Sequence, residues 1–201
     1  MIKFNKKIGN VNYFACSGGI DSIVFAHFLS KNKNKPTIVH FNHKLLSEDD
    51  VFESSVKKFC DDFSFKLIVK ETKEKYKKGS VEEWCRRVRY EYLYSLKGNV
   101  ATGHHLNDVV ENYLFNCIRG YHQHLPIPLN TNNIIRPFLL TNKETIKRYS
   151  DKYNLSKYVV EDPLNNELSK TRNWIRKVVA PEINGRFNLE KVVKKMYLKL
   201  S

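Results

Sequence analysis

Up to about residue 165, short apolar runs alternate along the chain with longer amphipathic segments. The apolar runs are bounded by turn-forming residues, which predicts buried strands over residues 11–16, 37–41, 65–69, 100–102 and 134–135. Apolar residues at helical spacing predict helices over residues 21–30, from Ser47 through 63, from the capping box of Ser80 and Glu83 to Gly98, between His105 and Gly120, and over residues 143–153.

This alternation of strands and helices with short links favours an α/β fold. We expect a parallel five-stranded sheet with helices on both faces, because each crossover between parallel strands needs a covering helix. The carboxyl ends of the strands, and any ligand, then lie along one edge of the sheet. The pattern divides the chain into an α/β domain over residues 1–165 and a C-terminal helical extension over residues 166–201.

The extension is basic, with apolar residues interleaved among its lysines and arginines. We expect its apolar face to pack on the sheet domain and its basic face to meet a nucleic-acid backbone. A charged face that is merely solvated remains the alternative.

The composition narrows the class of protein. The chain has 201 residues, and 35 Lys+Arg against 21 Asp+Glu give a net charge of +14. A hydrophobic content of 41% suffices for a core and argues against disorder. No apolar run approaches the roughly 20 residues of a membrane helix, and the N-terminus lacks the apolar core of a signal peptide. We therefore expect a soluble protein of the cytoplasm, or of an organelle stroma or matrix, with no membrane partner.

The positive charge favours a polyanionic partner, although joint enrichment in Lys and Asn also fits a coding bias that leaves a basic surface. The cysteines are Cys16, Cys60, Cys85 and Cys117, with no C-x-x-C pair among them. Free thiols in a reducing compartment are a simpler interpretation than disulfides or zinc ligands.

One glycine-rich loop carries the clearest chemistry. Between the first strand and the first helix the chain reads Ser17, Gly18, Gly19, Ile20, Asp21 and Ser22. Two glycines allow close approach of the backbone to an anion, and the free amides at the helix start point toward it. The serine hydroxyls add donors, and Asp21 is a candidate ligand for Mg²⁺ bridging to phosphate. This is not a Walker loop, since no lysine lies in it. An ordinary strand–helix turn is the alternative.

The loop matches the S-G-G-x-D-S motif of the N-type ATP pyrophosphatases, and further segments resemble the tRNA(Ile)-lysidine synthetase family. These segments are V-H-F-N-H at 39–43, E-W-C-R-R-V-R-Y at 83–90, A-T-G-H-H-L-N-D-V-V-E at 101–111 with R-G at 119–120, I-R-P-F at 135–138, E-D-P at 161–163 and T-R-N-W-I-R at 171–176. The resemblance spans roughly residues 11–181 in consistent order.

The resemblance implies a Rossmann-like fold of the adenine nucleotide alpha hydrolase type, with residues 1–165 as a PP-loop ATP-binding catalytic domain. It implies a ligase that uses ATP and Mg²⁺ to join free L-lysine to C2 of the wobble cytidine of tRNA(Ile) with a CAU anticodon. An adenylated cytidine is the intermediate, and pyrophosphate and AMP are released. Many relatives continue into C-terminal domains that grip tRNA. We therefore expect this chain to recognise tRNA with less surface, with a partner, or as a homodimer.

The resemblance also implies roles for individual residues. Asp21, Asp108 and Glu111 are the implied catalytic residues, and Asp108 and Glu111 also recognise the lysine. The implied nucleotide contacts are the six residues of the loop together with His40, Asn42, His43, His104 and His105.

Three alternatives remain open for these residues. The i, i+4 spacing of His104 and Asp108 also suits a metal site, and acids at the start of a helix also complement its dipole. His40 also fits a satisfied histidine at a strand end.

The implied tRNA contacts are Arg86, Arg119, Arg136, Arg172 and Arg176, because a guanidinium matches phosphate geometry. For the arginines at 86, 87 and 89, pairing with Glu82, Glu83 or Glu91 is a structural alternative. Position 107 departs from the family pattern: Asn107 stands where the motif usually carries an acid. It keeps hydrogen-bonding capacity but not the charge.

Two other functions compete with this interpretation. One is a 2-thiolating tRNA-modifying enzyme of the same superfamily. Such enzymes usually carry a catalytic pair of cysteines, which the four cysteines of this chain do not supply. The other is a non-catalytic basic RNA-binding protein that kept the fold. The intact loop argues against it, and Asn107 argues weakly for it.

Overall fold

The computed structural model of the chain describes residues 1–5, 9–45, 48–121, 127–161 and 167–198. The strands are β1 (Tyr13–Ala15), β2 (Thr37–Asn42), β3 (Leu67–Glu71), β4 (Val100–Thr102), β5 (Asn130–Thr131) and β6 (Ile134–Ile135). The helices of the α/β part are α1 (Ile20–Ser30), α2 (Glu48–Asp62), α3 (Val81–Ser95), α4 (Leu106–Ile118) and α5 (Lys143–Lys152), followed by a 3-10 turn at Leu155–Tyr158.

The C-terminal part is helical, as the pattern predicted. It comprises α6 (Thr171–Trp174), a π-helical segment (Ile175–Val179), α7 (Ala180–Phe187) and α8 (Leu189–Leu198). Leu189, Val193 and Tyr197 of α8 are buried in one cluster with Leu106 and Val109 of α4. The extension therefore packs on the α/β part through an apolar face. The division of the chain at residue 165 stays a prediction.

The sheet has the strand order β3-β2-β1-β4-β6-β5. The pairs β1–β2, β1–β4, β2–β3 and β4–β6 are parallel, which confirms the predicted five-stranded parallel arrangement. The chain builds outward from β1 to β3 on one side and then returns to place β4 on the other side. Strand order thus reverses between β1 and β4, and a crevice opens beyond the carboxyl ends of strands at such a switch point.

A sixth strand was not predicted. β5 lies in a segment for which the pattern predicted neither strand nor helix, and it pairs antiparallel with β6 through Asn130–Ile135 and Thr131–Ile134. Asn132 forms the turn with φ of +52°, a left-handed conformation that asparagine tolerates better than most residues. Strands of two residues carry too little periodicity to be recognised in the sequence.

Alternation along the strands builds a core on each face of the sheet. Phe14, Ile38 and Ala101 face one side and are buried with residues of α1, α2 and α5. Val39 and Val100, which point the opposite way, are buried with residues of α3. Helices therefore cover both faces, as expected for a parallel sheet.

Some predictions fall outside the described residues: Ser47 as the start of α2, and positions 162 and 163 of the E-D-P motif. Within the described part of the chain, no helix combines the length and the apolar character needed to cross a membrane.

Phe138 lies at the centre of the larger core, and its removal should destabilise the fold. Its ring stacks on Phe25 at 3.9 Å between centroids and contacts Phe4, Phe14 and Phe28 edge-on. We expect Phe138→Ala to lower the free energy of unfolding by about 3–5 kcal/mol in urea titrations, since it removes buried surface and leaves a cavity. Phe187→Ala, at a ring that is 72% exposed, is the matched control and should change it little. Equal losses from the two substitutions would contradict this assignment of the core.

Candidate functional site

The site lies at the switch point, where three helices begin beside one another. The loop at residues 17–22 leads from β1 into α1, residues 103–105 lead from β4 into α4, and Lys143 opens α5. Each helix follows a strand of the parallel sheet, so their amino-terminal ends meet at the carboxyl edge of that sheet. The free amides and positive dipole ends there favour an anionic ligand.

Ser22 holds the glycine-rich loop in shape. Its hydroxyl oxygen accepts hydrogen bonds from the backbone amides of Ser17 and Gly18, both at 3.2 Å, and its hydroxyl donates to the carbonyl of Gly19 at 2.9 Å. Gly18 has φ of +90°, and a Cβ there would lie 3.1 Å from the ring of Phe52. Glycine at position 18 is therefore required both by backbone conformation and by space.

Asp21 is held between the ammonium of Lys143 and the imidazole of His105. Its Oδ1 lies 2.6 Å from Nζ of Lys143 and 3.4 Å from Nε2 of His105. Burial disfavours the charged carboxyl, but the hydrogen bond from His105 and the charges of His105 and Lys143 outweigh burial and lower the pKa of Asp21 to about 2. Asp21 is therefore a carboxylate at any physiological pH.

His105 and Asp108 cap the start of α4. The backbone amide of Asn107 donates to Nδ1 of His105 at 3.2 Å, and the amide of His105 donates to Oδ2 of Asp108 at 2.9 Å. Burial disfavours protonation of His105, but the charges of Asp108 and Asp21 prevail and raise its pKa. Asp108 thus places a capping acid in the first turn of α4, and its side chain is still 27% exposed.

Glu111 is paired with Arg176. Nε of Arg176 donates to Oε2 of Glu111 at 2.7 Å, although Glu111 itself is only 6% exposed. Burial raises the pKa of Glu111 against the opposing charge of Arg176. Arg176 lies in the π-helical segment, and such turns occur frequently at functional sites. The pair joins the C-terminal helices to α4 at the switch point.

Two adjoining cavities open around these residues, and Ser17, Asp21, Asp108 and Arg176 line both. The first, which we call the strand-edge cavity, has a volume of about 450 Å³. It combines apolar walls with charged and polar groups, and its further lining includes Val39, Phe41, Tyr90, Leu93, Arg89 and His104. A cavity of this size and character suits a small-molecule ligand.

The second, which we call the helix-side cavity, has a volume of about 790 Å³. It lies between the glycine-rich loop and the helices of the C-terminal part. Its charged lining includes the carboxylates Asp108, Glu111, Glu161 and Glu190 and the cations Lys143, Lys147, Arg176 and Lys177. The mixture of both charges at close range suits a zwitterionic or phosphate-bearing ligand.

The structure does not bring His40, Asn42 or His43 into the lining of either cavity. Successive residues of a strand point to opposite faces, so His40 and Asn42 face away from Val39 and Phe41, which line the strand-edge cavity. His43 follows the strand, and its ring lies 4.8 Å from that of Phe41. His40 is 3% exposed and donates from Nδ1 to the carbonyl of Cys16 at 2.9 Å, while its buried Nε2 has no hydrogen-bond partner among the described residues.

Asn42 joins β2 to α2. Its amide nitrogen donates to Glu53 at 2.7 Å and to Asp50 at 3.0 Å, and its oxygen accepts from the amide of Lys44 at 2.9 Å. These bonds use its hydrogen-bonding groups within the fold. Contact of His40, Asn42 and His43 with adenosine stays a prediction.

His104 does line the strand-edge cavity, with its Nδ1 at 2.8 Å from Oγ1 of Thr102. Burial lowers the pKa of His104 to about 4, so it is a neutral imidazole near pH 7. Among the described residues, no group of three His, Cys, Asp or Glu side chains is arranged to hold a metal ion. The geometry therefore gives the His104–Asp108 metal alternative no third ligand.

The predicted arginines occupy different surroundings. Arg86 lies over the ring of Tyr90, with 4.5 Å between guanidinium and centroid, while Arg119 and Arg172 lie over Phe115 at 5.4 and 5.2 Å. Arg136 is 4% exposed and donates to the carbonyl of Pro128 at 2.9 Å, so it supports the β5–β6 hairpin. Its burial leaves it no surface for a phosphate, and we remove it from the proposed tRNA contacts.

Lys143 and Arg89 are cations of the site that were not among the predicted residues. Lys143 lies 122 positions from Asp21 in the sequence, and no local motif marks it. Its position could have been inferred because the first residue of a helix that follows a parallel strand lies at the carboxyl edge of the sheet, where ligands bind. Arg89 lines the strand-edge cavity, although the sequence prediction chose Arg86 from the same helix. Which arginine of α3 faces the strand-edge cavity depends on the exact residue at which the helix begins.

Comparisons with known proteins agree with this geometry. The chain is 31% identical over 198 residues to a protein of Buchnera aphidicola subsp. Baizongia pistaciae named tRNA(Ile)-lysidine synthase, and the match covers 91% of this chain and 44% of that protein. A protein of the same name from Persephonella marina is 32% identical over 191 residues, covering 85% of this chain and 41% of its own length. The chain thus spans less than half the length of these relatives.

Solved structures share the fold. The U34-tRNA thiolase NcsA from Methanococcus maripaludis matches with a TM-score of 0.75 at 15% identity, covering 98% of this chain and 75% of that one. The NH3-dependent NAD synthetase from Campylobacter jejuni matches with a TM-score of 0.53 at 12% identity, covering 92% and 83%. A family model described as a PP-loop domain matches residues 3–183. With its loop and switch point arranged as described, this chain belongs to the PP-loop domain family.

Proposed function

We propose that this protein ligates free lysine to C2 of the wobble cytidine of tRNA(Ile) with a CAU anticodon, at the expense of ATP. The observation that carries the proposal is the meeting of a phosphate-type loop with the acids of α4 in adjoining cavities. The relatives named tRNA(Ile)-lysidine synthase support the choice of substrates.

ATP fits the strand-edge cavity in one orientation. Val39, Phe41 and Leu93 provide apolar walls for the adenine, and the loop at residues 17–22 lies beside them for the phosphates. The PP-loop domain implies ATP binding. Within that loop, Ser22 supports the backbone, and the start of α1 supplies amides and dipole to the phosphate charge.

Asp21 is the residue best suited to hold Mg²⁺. Protein Mg²⁺ sites commonly use one or two carboxylates with substrate phosphates and water, so Asp21, with Asp108 nearby, fits such an ion. When bound, the ion would neutralise phosphate charge. Lys143, which pairs with Asp21 at 2.6 Å, places a second positive charge beside the loop that would hold the phosphates.

The reaction then needs alignment and charge neutralisation more than covalent help from the protein. The C2 oxygen of the cytidine attacks the α-phosphorus of ATP, and pyrophosphate leaves. The amine of lysine, after losing a proton, attacks C2, and AMP leaves with that oxygen. We assign phosphate neutralisation to Lys143, with the imidazole of His105 beside it as a hydrogen-bond donor through Nε2.

Asp108 is the carboxylate that we assign first to the lysine amine, since it lines both cavities and is partly exposed. Glu111 acts with it through Arg176, which it holds at the boundary of the two cavities. We retain Arg86, Arg119, Arg172 and Arg176 as contacts for tRNA phosphates. A homodimer stays a prediction.

The competing thiolation function gains no support from the cysteines. Among the described residues, Cys16 is the cysteine that lines the strand-edge cavity, and burial raises the pKa of its thiol, against a nucleophilic thiolate. A non-catalytic RNA-binding role does not account for the charged groups gathered around Asp21.

The proposed reaction predicts a specific product. With ATP, Mg²⁺, lysine and unmodified CAU-anticodon tRNA, we expect a nucleoside heavier than cytidine by lysine minus water, detected by mass spectrometry after digestion. Asp21→Asn should lower the rate at least about 100-fold because it removes the charge between Lys143 and His105. Glu111→Gln should lower it at least about tenfold by releasing Arg176.

Asp151→Asn is the matched control, because Asp151 is exposed near the end of α5, and it should leave the rate unchanged. Product that forms equally without ATP, or a folded wild-type protein that forms none, would refute the proposed function.

The proton on His105 predicts a dependence of stability on pH. The folded-state pKa of His105 is raised above its ordinary value, so its contribution is fully present below about pH 6.5 and is lost as pH rises through the folded pKa. His105→Asn removes the titration but keeps a good N-cap for α4. We expect the Tm of wild type minus that of the variant to fall between pH 6 and pH 9. A difference that is constant or grows over this range would contradict the assigned charge.

A further inference from the structure

Glu190 brings a carboxylate into the helix-side cavity from the C-terminal helix α8. Its Oε1 accepts a hydrogen bond from Nδ2 of Asn107 at 3.0 Å, and its Oε2 accepts a longer one from Nδ2 of Asn142 at 3.4 Å. Its own backbone amide donates to Oδ1 of Asn184 at 2.9 Å. Three asparagines from different helices thus fix where this carboxylate lies.

Asn107 donates one side-chain hydrogen bond and accepts another, and an amide side chain can do both. Its nitrogen donates to Glu190, while its oxygen accepts from the backbone amide of Lys143 at 2.8 Å. A carboxylate at position 107 could accept from Lys143 but could not donate to Glu190, and it would repel that side chain. The amide at position 107 is therefore matched to the carboxylate at position 190.

The Glu190 carboxylate differs from those of Asp21 and Glu111 in its partners. Asp21 is paired with Lys143, and Glu111 is paired with Arg176. The hydrogen-bond partners of the Glu190 carboxylate are neutral amides, and none of the ion pairs found within 4 Å among the described residues includes it. Lys194, one turn further along α8, interacts with Glu190 at longer range. Glu190 thus adds negative potential to the cavity without a paired cation.

We propose that Glu190 is a specificity-determining carboxylate for the amine substrate, supplying from α8 the charge that Asn107 lacks on α4. This inference rests on the proposed function and deepens it. Position 107 is where the related motif carries an acid, and Asn107 places Glu190 within one hydrogen bond of that position. Residue 190 lies beyond residues 3–183, which match the PP-loop domain, so the shared domain does not assign it.

A purely structural role for Glu190 makes different predictions. An acid in the first turn of α8 complements the helix dipole, and its two hydrogen bonds dock α8 on α4 and α5. That role predicts lost stability on substitution and no selective change in lysine binding. An experiment that distinguishes the two roles must therefore change the charge of Glu190 while keeping its hydrogen bonds.

A pair of substitutions separates them. Glu190→Gln removes the charge. Combining it with Asn107→Asp returns the charge to α4 and allows the reversed bond, in which the new amide at position 190 donates to the new carboxylate at position 107. The oxygen of the new amide still accepts from Asn142, and the new carboxylate still accepts from Lys143. The double variant thus keeps the hydrogen bonds and moves the charge by one hydrogen-bond length.

Kinetics with full-length tRNA, lysine and ATP test the proposal, with Tm as a check on folding. For Glu190→Gln we expect the KM for lysine to rise about tenfold and the KM for ATP to change less than about twofold, since one charge-assisted contact is lost. The double variant should return the KM for lysine to within about threefold of wild type. Asn107→Asp alone should lower the Tm, because it sets two carboxylates against each other.

The outcomes are distinguishable. If wild type forms the product but Glu190→Gln leaves the KM for lysine unchanged, or raises both KM values alike, the assignment of Glu190 is wrong and the proposed function stands. If the double variant shows no recovery while folded, the charge exchange between positions 107 and 190 is also refuted. Wild-type protein that forms no lysine-containing product overturns both proposals.

Discussion

The carboxylate of Asp21, held between Lys143 and His105, is the interaction on which the site depends. It joins the starts of α1, α4 and α5, which the reversal of strand order brings to one edge. Three positive helix ends and the ammonium of Lys143 would repel one another without this anion. Asp21 and Asp108 balance this positive charge in part, and incoming phosphates add further negative charge. Organisation of the fold and affinity for a polyphosphate therefore have one physical origin.

The C-terminal helices are part of this site rather than an attachment to it. Arg176 in the π-helical segment pairs with Glu111, and Glu190 on α8 bonds to Asn107. Tyr197 and Val193 bury α8 against α4. Packing and site chemistry are thus coupled, since any movement of α8 displaces groups that line the helix-side cavity. The net charge of +14 matters here through a few placed cations, because most exposed lysines act only as solvated surface.

The sequence predicted what depends on local pattern. Alternating apolar runs identified the five parallel strands, and glycine spacing identified the loop at residues 17–22, because both signals lie within a few consecutive residues. The contact of Lys143 with Asp21 joins residues 122 positions apart, so no local pattern contains it. That Val39 and Phe41, rather than His40 and Asn42, line the strand-edge cavity could not be foreseen, because a shift of one residue in a strand exchanges its two faces. Burial of Arg136 depends on a two-residue hairpin too short to recognise.

The proposed reaction requires that ATP be cleaved at the α-phosphorus and that the adenylate be transferred to the cytidine before lysine reacts. The most direct measurement follows α- and γ-labelled ATP separately after mixing with the protein and CAU-anticodon tRNA in the absence of lysine. We predict that γ-label appears as pyrophosphate and that α-label becomes attached to the tRNA, both only when the tRNA is present. Release of γ-label as inorganic phosphate, with ADP as the other product, would contradict the proposed reaction.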